Sequence, residues 1–369
     1  MQEFLFAKKV FTGKEVLNNQ LLTSENGVIT HITSSDSFFE IKTVDNLAPG
    51  FFDSHINGGE QFHFTQKADE ETIDDIYQSS FRTGAAYVLP TLITSPQENI
   101  LKGIAAIKSY QEKHPDSGVL GMHLEGPFLN PIKRGAHLTE YVRKPSNADL
   151  EEIIRYGKGI IRLITIAPEM FTKDQIQMLL DSGITVSAGH SNATYEEAIN
   201  AFSQGINLVT HLYNAMSAFG HRQPGLVGAT FDSPSVYAPI IVDGVHCDYA
   251  AASVAYKIKK DKLFLISDAL FLGEKVTEFK WEEFDAYLKD GRYTNSDGNL
   301  AGATISLSDA VRNAVKFVNI PLQEAIEMAT IRPAKALGLS NKIGQIATGF
   351  PAVFTTFDDG LERFEVWKY

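Results

Sequence analysis

Five apolar runs of this 369-residue chain each end in a side chain able to bind a metal or move a proton. GVLGMHLEGPF carries Glu125, ITVSAGHS carries His190, NLVTHLYNAM carries His211, LFLISDA carries Asp268 and GFFDSHING carries His55. A single histidine in such a place is more often a hydrogen-bonded core residue than a ligand, and a lone aspartate there is more often a helix N-cap. In series they imply strand tips converging on one pocket. Carboxylate plus imidazole is the ligand chemistry of a hydrolytic divalent-metal centre, and one Glu with two His leaves a position open for water. Glu125, His190 and His211 are the expected ligands. Asp268 is the expected acid-base group, placed to take a proton from water and deliver it to a leaving group. His55 and Asn57 are two apart and share a strand face. Asn57 stands where a second histidine would make a His-x-His pair; an amide is a poor zinc ligand, so it reads as a hydrogen-bonding residue. His63 falls in an expected loop and is assigned no role.

Such tips need a scaffold that gathers them. Eight strand-like runs follow one another between residues 48 and 269, with amphipathic helical segments such as DEETIDDIYQSSFRT, SPQENILKGIAAIKSYQEK and KDQIQMLLDSG between several of them. Strands alternating with helices imply a parallel sheet. Eight units match a (β/α)8 TIM-type barrel, whose active site lies at the C-terminal strand ends. The competing fold, a doubly wound open sheet, lacks its Gly-rich fingerprint here; PGLVGATFDS does not fit one. Thr194 and Glu197 have capping-box spacing and predict a helix start. Residues 1–47 read instead as short β segments, with Asn18-Asn19 and Asn26-Gly27 as separating turns, and residues 344–369 have the same texture. The expected division is a small β-sandwich-like domain built from both termini (1–47 and 344–369) and a catalytic barrel (48–343).

Composition narrows the function. The net charge of −12 argues against general nucleic-acid binding, and any phosphate site must be a local basic cluster. One cysteine, Cys247, permits no internal disulfide and no cysteine-rich zinc site. No run approaches the ~18 apolar residues of a membrane span, and the N-terminus lacks the pattern of a signal peptide. The expected location is cytoplasmic.

Six blocks then make a specific resemblance: PGFFD from Pro49, HLEGP from His123, RGAH from Arg134, GHSNA from Gly189, THLYNAM from Thr210 and DGVH from Asp243. With LAGA from Leu300 and the closing IGQIATGFPAVF, the chain resembles the N-acetylglucosamine-6-phosphate deacetylase family of the amidohydrolase superfamily over nearly its whole length. The resemblance implies metal-dependent hydrolysis of the acetamide of an amino-sugar 6-phosphate. It implies one divalent metal per subunit, Zn2+ first, with Fe2+, Mn2+, Co2+ or Ni2+ as alternatives, held by Glu125, His190 and His211. Asp268 then matches the general base and acid, and His137 the residue that polarises the acetyl carbonyl. Ala136, His137, Asn214, Ala215, His246, Leu300, Ala301 and Gly302 match substrate-binding positions. Arg222 matches an arginine that reaches the phosphate of the neighbouring subunit, which implies a homodimer. The chain departs from the family in two places. His55-Ile-Asn57 lies between the two-metal and one-metal patterns and leaves a weak second site at His55 open. Leu-Phe-Leu-Gly-Glu-Lys after Asp268 replaces expected small residues, where a lid or substrate preference would be set. N-acetylgalactosamine 6-phosphate, another N-acyl substrate, and a catalytically silent sugar-phosphate binder are the alternative readings.

Overall fold

The computed structural model describes residues 2–35 and 41–369. The chain starts in a sheet: β1 (Gln2–Phe11), β2 (Val16–Glu25), β3 (Val28–Ser34) and β4 (Thr43–Pro49). β2 pairs antiparallel with β1 and β3, whereas β4 lies parallel to β1 on its other side. Asn26-Gly27 makes the β2–β3 turn, with both residues at positive φ, as a tight hairpin requires. The expected turn at Asn18-Asn19 does not exist; both residues lie inside β2. Asn19 adopts φ +51° between Asn18 and Gln20, which pair with Lys9 and Ala7 of β1, a conformation asparagine tolerates better than most residues.

Gly50 carries the chain from this sheet straight into a barrel. The barrel strands are β5 (Phe51–Ile56), β6 (Ala85–Ile93), β7 (Met122–Glu125), β8 (Ile161–Ile166), β9 (Thr185–Ala188), β10 (Leu208–Val209), β11 (Ala238–Ile240) and β12 (Leu263–Leu265). β5 to β10 form one parallel sheet in sequence order, and β11 pairs with β12. Parallel bridges Leu208–Tyr237 and Ile56–Ala269 join the two pieces into a ring. β5 and β6 are buried along their whole length. This explains why such strands read as continuous apolar runs rather than alternating ones.

A helix follows each barrel strand, from Glu70–Arg82 after β5 to Leu307–Lys316 after β12. Reciprocal capping boxes start four of them, at Ser146, Thr172, Thr194 and Ser306. Thr194 Oγ1 accepts from the Glu197 N–H at 3.2 Å, and Glu197 Oε2 accepts from the Thr194 N–H at 2.8 Å, which satisfies two otherwise orphaned donors. The segment GLVGATFD is itself a helix, Gly225–Asp232.

One element has no counterpart in the sequence expectation. Between β12 and its helix the chain inserts an antiparallel flap: β13 (Glu278–Trp281), β14 (Phe284–Lys289) and β15 (Arg292–Thr294). Asp290 and Gly291, both at positive φ, form its second turn, so an Asp-Gly hairpin signal was present. Phe279, Phe284 and Tyr293 of the flap pack with Leu270 and Phe271 in a separate buried cluster. The chain ends in β16 (Val353–Phe357) and β17 (Phe364–Lys368), and β16 pairs antiparallel with β4 to complete a six-stranded terminal sheet. Leu5, Val10, Leu22, Leu47 and Phe354 form its core.

Candidate metal centre and active site

The barrel strands end at one rim, and the side chains at that rim are polar because the backbone there turns away from the ladder. Glu125 is the last residue of β7. His190 and His211 lie two residues beyond β9 and β10, and Asp268 three beyond β12. His190, His211 and Asp268 have φ of +48°, +30° and +48°. Non-glycine residues are costly in this region and persist where the surroundings over-determine them, as at functional sites. Gly126, at φ +84°, makes the turn after Glu125; a Cβ there would lie 2.2 Å from Thr94 Oγ1.

The geometry converges on the Glu125 carboxylate. Its Oε1 lies 3.2 Å from His190 Nε2 and 3.0 Å from His211 Nε2, and the two imidazole nitrogens are 3.1 Å apart. Ligands about 2.0–2.1 Å from a tetrahedral zinc are separated by about 3.3 Å, so these edges match the face of such a polyhedron. The donor chemistry agrees. His190 Nδ1–H donates to the Lys133 carbonyl at 2.9 Å, which leaves the Nε2 lone pair facing an acceptor oxygen. Lone pairs brought this close call for a cation between them. Burial alone would raise the Glu125 carboxyl, yet His55, His190 and His211 hold it well below the usual carboxylate range.

His137 is equally buried and sits over the same centre; Glu125, His137 and His190 offer ligand atoms within 4.8 Å of one another. Its Nε2 is 3.8 Å from Glu125 Oε2, a looser fit than His211. The Thr94 backbone N–H donates to His137 Nδ1 at 3.4 Å, with Thr94 Oγ1 at 2.8 Å. That fixes the lone pair on Nδ1 and the proton on Nε2. His137 therefore presents a hydrogen-bond donor to the cavity, while burial and nearby His190 keep it neutral by lowering its pKa well below the usual imidazole value.

His55 occupies the other side of Glu125. Its Nε2 is 3.2 Å from Glu125 Oε2 and 3.2 Å from Asp268 Oδ1. Burial lowers its pKa, but Asp268 and Glu125 outweigh burial and raise it to about 9. Asn57 Nδ2 donates to the same Asp268 oxygen at 2.9 Å, so the amide turns a donor toward the position a second ligand would need. Beneath lies a polar layer inside the barrel. His123 Nε2 contacts Thr165 Oγ1 at 2.8 Å, and Thr210 Oγ1 contacts Thr165 Oγ1 at 2.7 Å and Ser187 Oγ at 2.6 Å. Satisfied networks of this kind make a buried polar floor rigid.

Above the centre is a cavity of about 540 Å3 lined by Ala136, His137, Asn214, Ala215, His246, Asp268 and Leu300 to Gly302, among others. His246 Nδ1 and Asp243 Oδ2 are 2.6 Å apart. Burial would lower His246, but the hydrogen bond and charge of Asp243 raise it, and the same pairing lowers Asp243. Arg222 is the exception: it is exposed and does not line the cavity of its own chain. Two supporting residues escaped sequence reasoning. Thr94 sets the His137 tautomer. Glu169 accepts from Asn130 Nδ2, Ser191 Oγ and the Asn192 N–H at 2.9, 2.7 and 2.7 Å, tying together the loops that follow β7, β8 and β9. Neither stands in a motif; only fold proximity shows their roles.

N-acetylglucosamine-6-phosphate deacetylase of Haemophilus influenzae is 38% identical over 325 residues, covering 86% of this chain and 84% of the relative. N-acetylgalactosamine-6-phosphate deacetylase of Escherichia coli is 31% identical and covers 100% of this chain and 98% of the relative. The crystal structure of N-acetylglucosamine-6-phosphate deacetylase from Pasteurella multocida superposes with a TM-score of 0.94 at 33% identity, covering 100% of both chains. The amidohydrolase family matches residues 46–367, from within β4 through the whole barrel and into β17, and the chain belongs to that family.

Proposed function

We propose that this protein hydrolyses N-acetyl-D-glucosamine 6-phosphate to D-glucosamine 6-phosphate and acetate, in amino-sugar catabolism in the cytoplasm. The observation that carries the reading is one cavity holding the Glu125–His190–His211 triad, the Asp268 carboxylate and the outward-facing Nε2–H of His137. The relatives' names supply the substrate class. In this reading residues 48–343 are the catalytic barrel, and residues 1–47 with 344–369 are its structural companion.

Amidohydrolases are metal-dependent. Glu125, His190 and His211 would hold a divalent cation, assigned as one Zn2+ per subunit, which when bound would supply Lewis acidity for amide hydrolysis. His137 donates from Nε2 to the carbonyl oxygen and stabilises the charge that grows there. Asp268 takes the proton of the attacking water, then passes it to the amine as the C–N bond breaks. Asn57 by a hydrogen bond and His55 by an ion pair hold the same oxygen of Asp268, which leaves its other oxygen to face water. Asn57 turns an amide donor, not a ligand atom, toward the position a second metal would need, which supports one metal over two. His246, held by Asp243, and the backbone and side chains of Ala136, Asn214, Ala215 and Leu300 to Gly302 contact the sugar and phosphate. Arg222, exposed on its own protomer, serves the phosphate of the neighbouring subunit in a homodimer; a guanidinium suits phosphate bidentately.

Replacing Asp268 with Asn is the test. Acetate release should fall about 1,000-fold or more with bound metal unchanged; near-normal turnover would overturn the assignment. A second reading, N-acetylgalactosamine 6-phosphate as the substrate, is favoured by the full-length match to the Escherichia coli enzyme. Acetate release measured on both sugar phosphates decides between them.

A further inference from the structure

His63 is completely buried, yet it lines the same cavity as Asp268 and His137. Its Nδ1 accepts from the Thr65 backbone N–H at 3.3 Å, which places the ring proton on Nε2. That Nε2 has no hydrogen-bond partner in the described structure. A buried donor without an acceptor is costly, and native sites retain one chiefly where a ligand or water completes it.

Its surroundings are apolar. The rings of Phe279, Phe271 and Phe284 lie 4.9, 6.0 and 6.5 Å from the imidazole. Phe271 comes from the bulky segment after Asp268, and Phe279 and Phe284 come from the inserted flap. The bulky segment after Asp268 and the inserted flap therefore meet at this one histidine. Burial lowers its pKa to about 3, so it is neutral wherever the protein is folded near neutral pH.

On the amino-sugar phosphate reading above, we propose that His63 is a specificity-determining residue whose Nε2–H donates a hydrogen bond to a hydroxyl oxygen of the bound sugar. The chemistry selects among the oxygens such a ligand offers. A neutral ring in an aromatic box cannot balance a phosphate dianion, which needs a cation. On that reading the acetyl carbonyl already accepts from His137 Nε2–H. An uncharged hydroxyl acceptor remains. A site built around a buried donor discriminates against ligands that leave it unpaired far more than an apolar wall does.

The test uses the whole metal-loaded enzyme and three side chains at this position. His63→Phe extends the aromatic box and removes the donor; His63→Gln keeps a donor near the Nε2 position. Steady-state kinetics are measured on N-acetylglucosamine 6-phosphate and its galacto epimer, with melting temperature and metal content as controls. His63→Phe should retain metal and melting temperature, lose about tenfold in kcat/KM through KM, and change the ratio between the epimers. His63→Gln should recover to within about threefold of wild type. If His63→Phe does not fold, His63→Met takes its place as the variant without a donor. The proposal is overturned if the donorless variant matches wild type on both epimers, or if His63→Gln falls as far as that variant does. A wild-type protein silent on every amino-sugar phosphate overturns the deacetylase reading and this one with it. An active wild type with an insensitive position 63 overturns this one alone.

Discussion

Asp243→Asn isolates one charge with a defined job. His246 lies in the cavity wall with its Nδ1 2.6 Å from Asp243 Oδ2, and both side chains are 7% exposed. Asp243 Oδ1 also accepts from the Val245 and His246 N–H groups at 2.8 Å each, and an asparagine keeps those two bonds. What is lost is the negative charge that opposes burial of the imidazolium. In wild type that charge, with a smaller contribution from Asp268, raises the His246 pKa above its ordinary value; without it burial is opposed by Asp268 alone, and the ring should lose its charge at lower pH. A charged hydrogen bond to a bound anion is worth about 1.5–3 kcal/mol, so KM for the sugar phosphate should rise about 10- to 100-fold with kcat little changed. The pH profile carries the signature. Wild-type KM should stay low until pH passes the raised His246 pKa and climb above it; in Asp243→Asn the climb should begin below pH 6.5, the ordinary histidine value. Stability follows the same signs. The raised His246 pKa stabilises the fold fully below about 6.5 and is lost as pH rises through the folded value. The depressed Asp243 pKa stabilises it above about 3.9 and is lost as pH falls through its folded value. Steady-state kinetics between pH 5.5 and about 9 test this, a range set by the histidine titration. An Asp243→Asn enzyme with wild-type KM across the range would refute the argument.

Other consequences are more local. Thr94→Val removes the hydroxyl 2.8 Å from His137 Nδ1; kcat should fall about tenfold with KM near wild type, since only ring orientation changes. Gly126→Ala places a Cβ 2.2 Å from Thr94 Oγ1 at φ +84°, and should destabilise the fold by about 2 kcal/mol or more in denaturant titration. Arg222→Ala should raise KM for the sugar phosphate about tenfold while leaving metal content and melting temperature unchanged, because Arg222 is exposed on its own protomer; an unchanged kcat/KM would remove the phosphate role.

The barrel was legible because its strands are buried on both faces. Each appears as an apolar run, and the polar residue that breaks the run marks the rim. Glu125, His190, His211 and Asp268 stood out for that reason, and His137 only through the motif around it. The rest was hidden for physical reasons. Asn19 looks like a turn residue but takes a left-handed conformation inside β2. The flap is short, and its Asp290-Gly291 signal lies among charged residues that mask the alternation of β14 and β15. His63 reads as a loop histidine because nothing in the sequence says that Phe271, Phe279 and Phe284 close around it. Thr94 and Glu169 act through loops that meet only after the ring closes. The bent His55–Asn57 pair shows the same boundary: spacing put both on one face, but only coordinates show the amide donating to Asp268.

On this reading deacetylation requires a single divalent metal held by Glu125, His190 and His211. Metal analysis of purified protein, coupled to acetate release from N-acetylglucosamine 6-phosphate, tests it in wild type and Glu125→Gln. Wild type should hold about one equivalent per chain, and the variant should lose both metal and turnover. Two equivalents in wild type would contradict the reading of His55 and Asn57, and a Glu125→Gln enzyme that keeps its metal and its turnover would contradict the site itself.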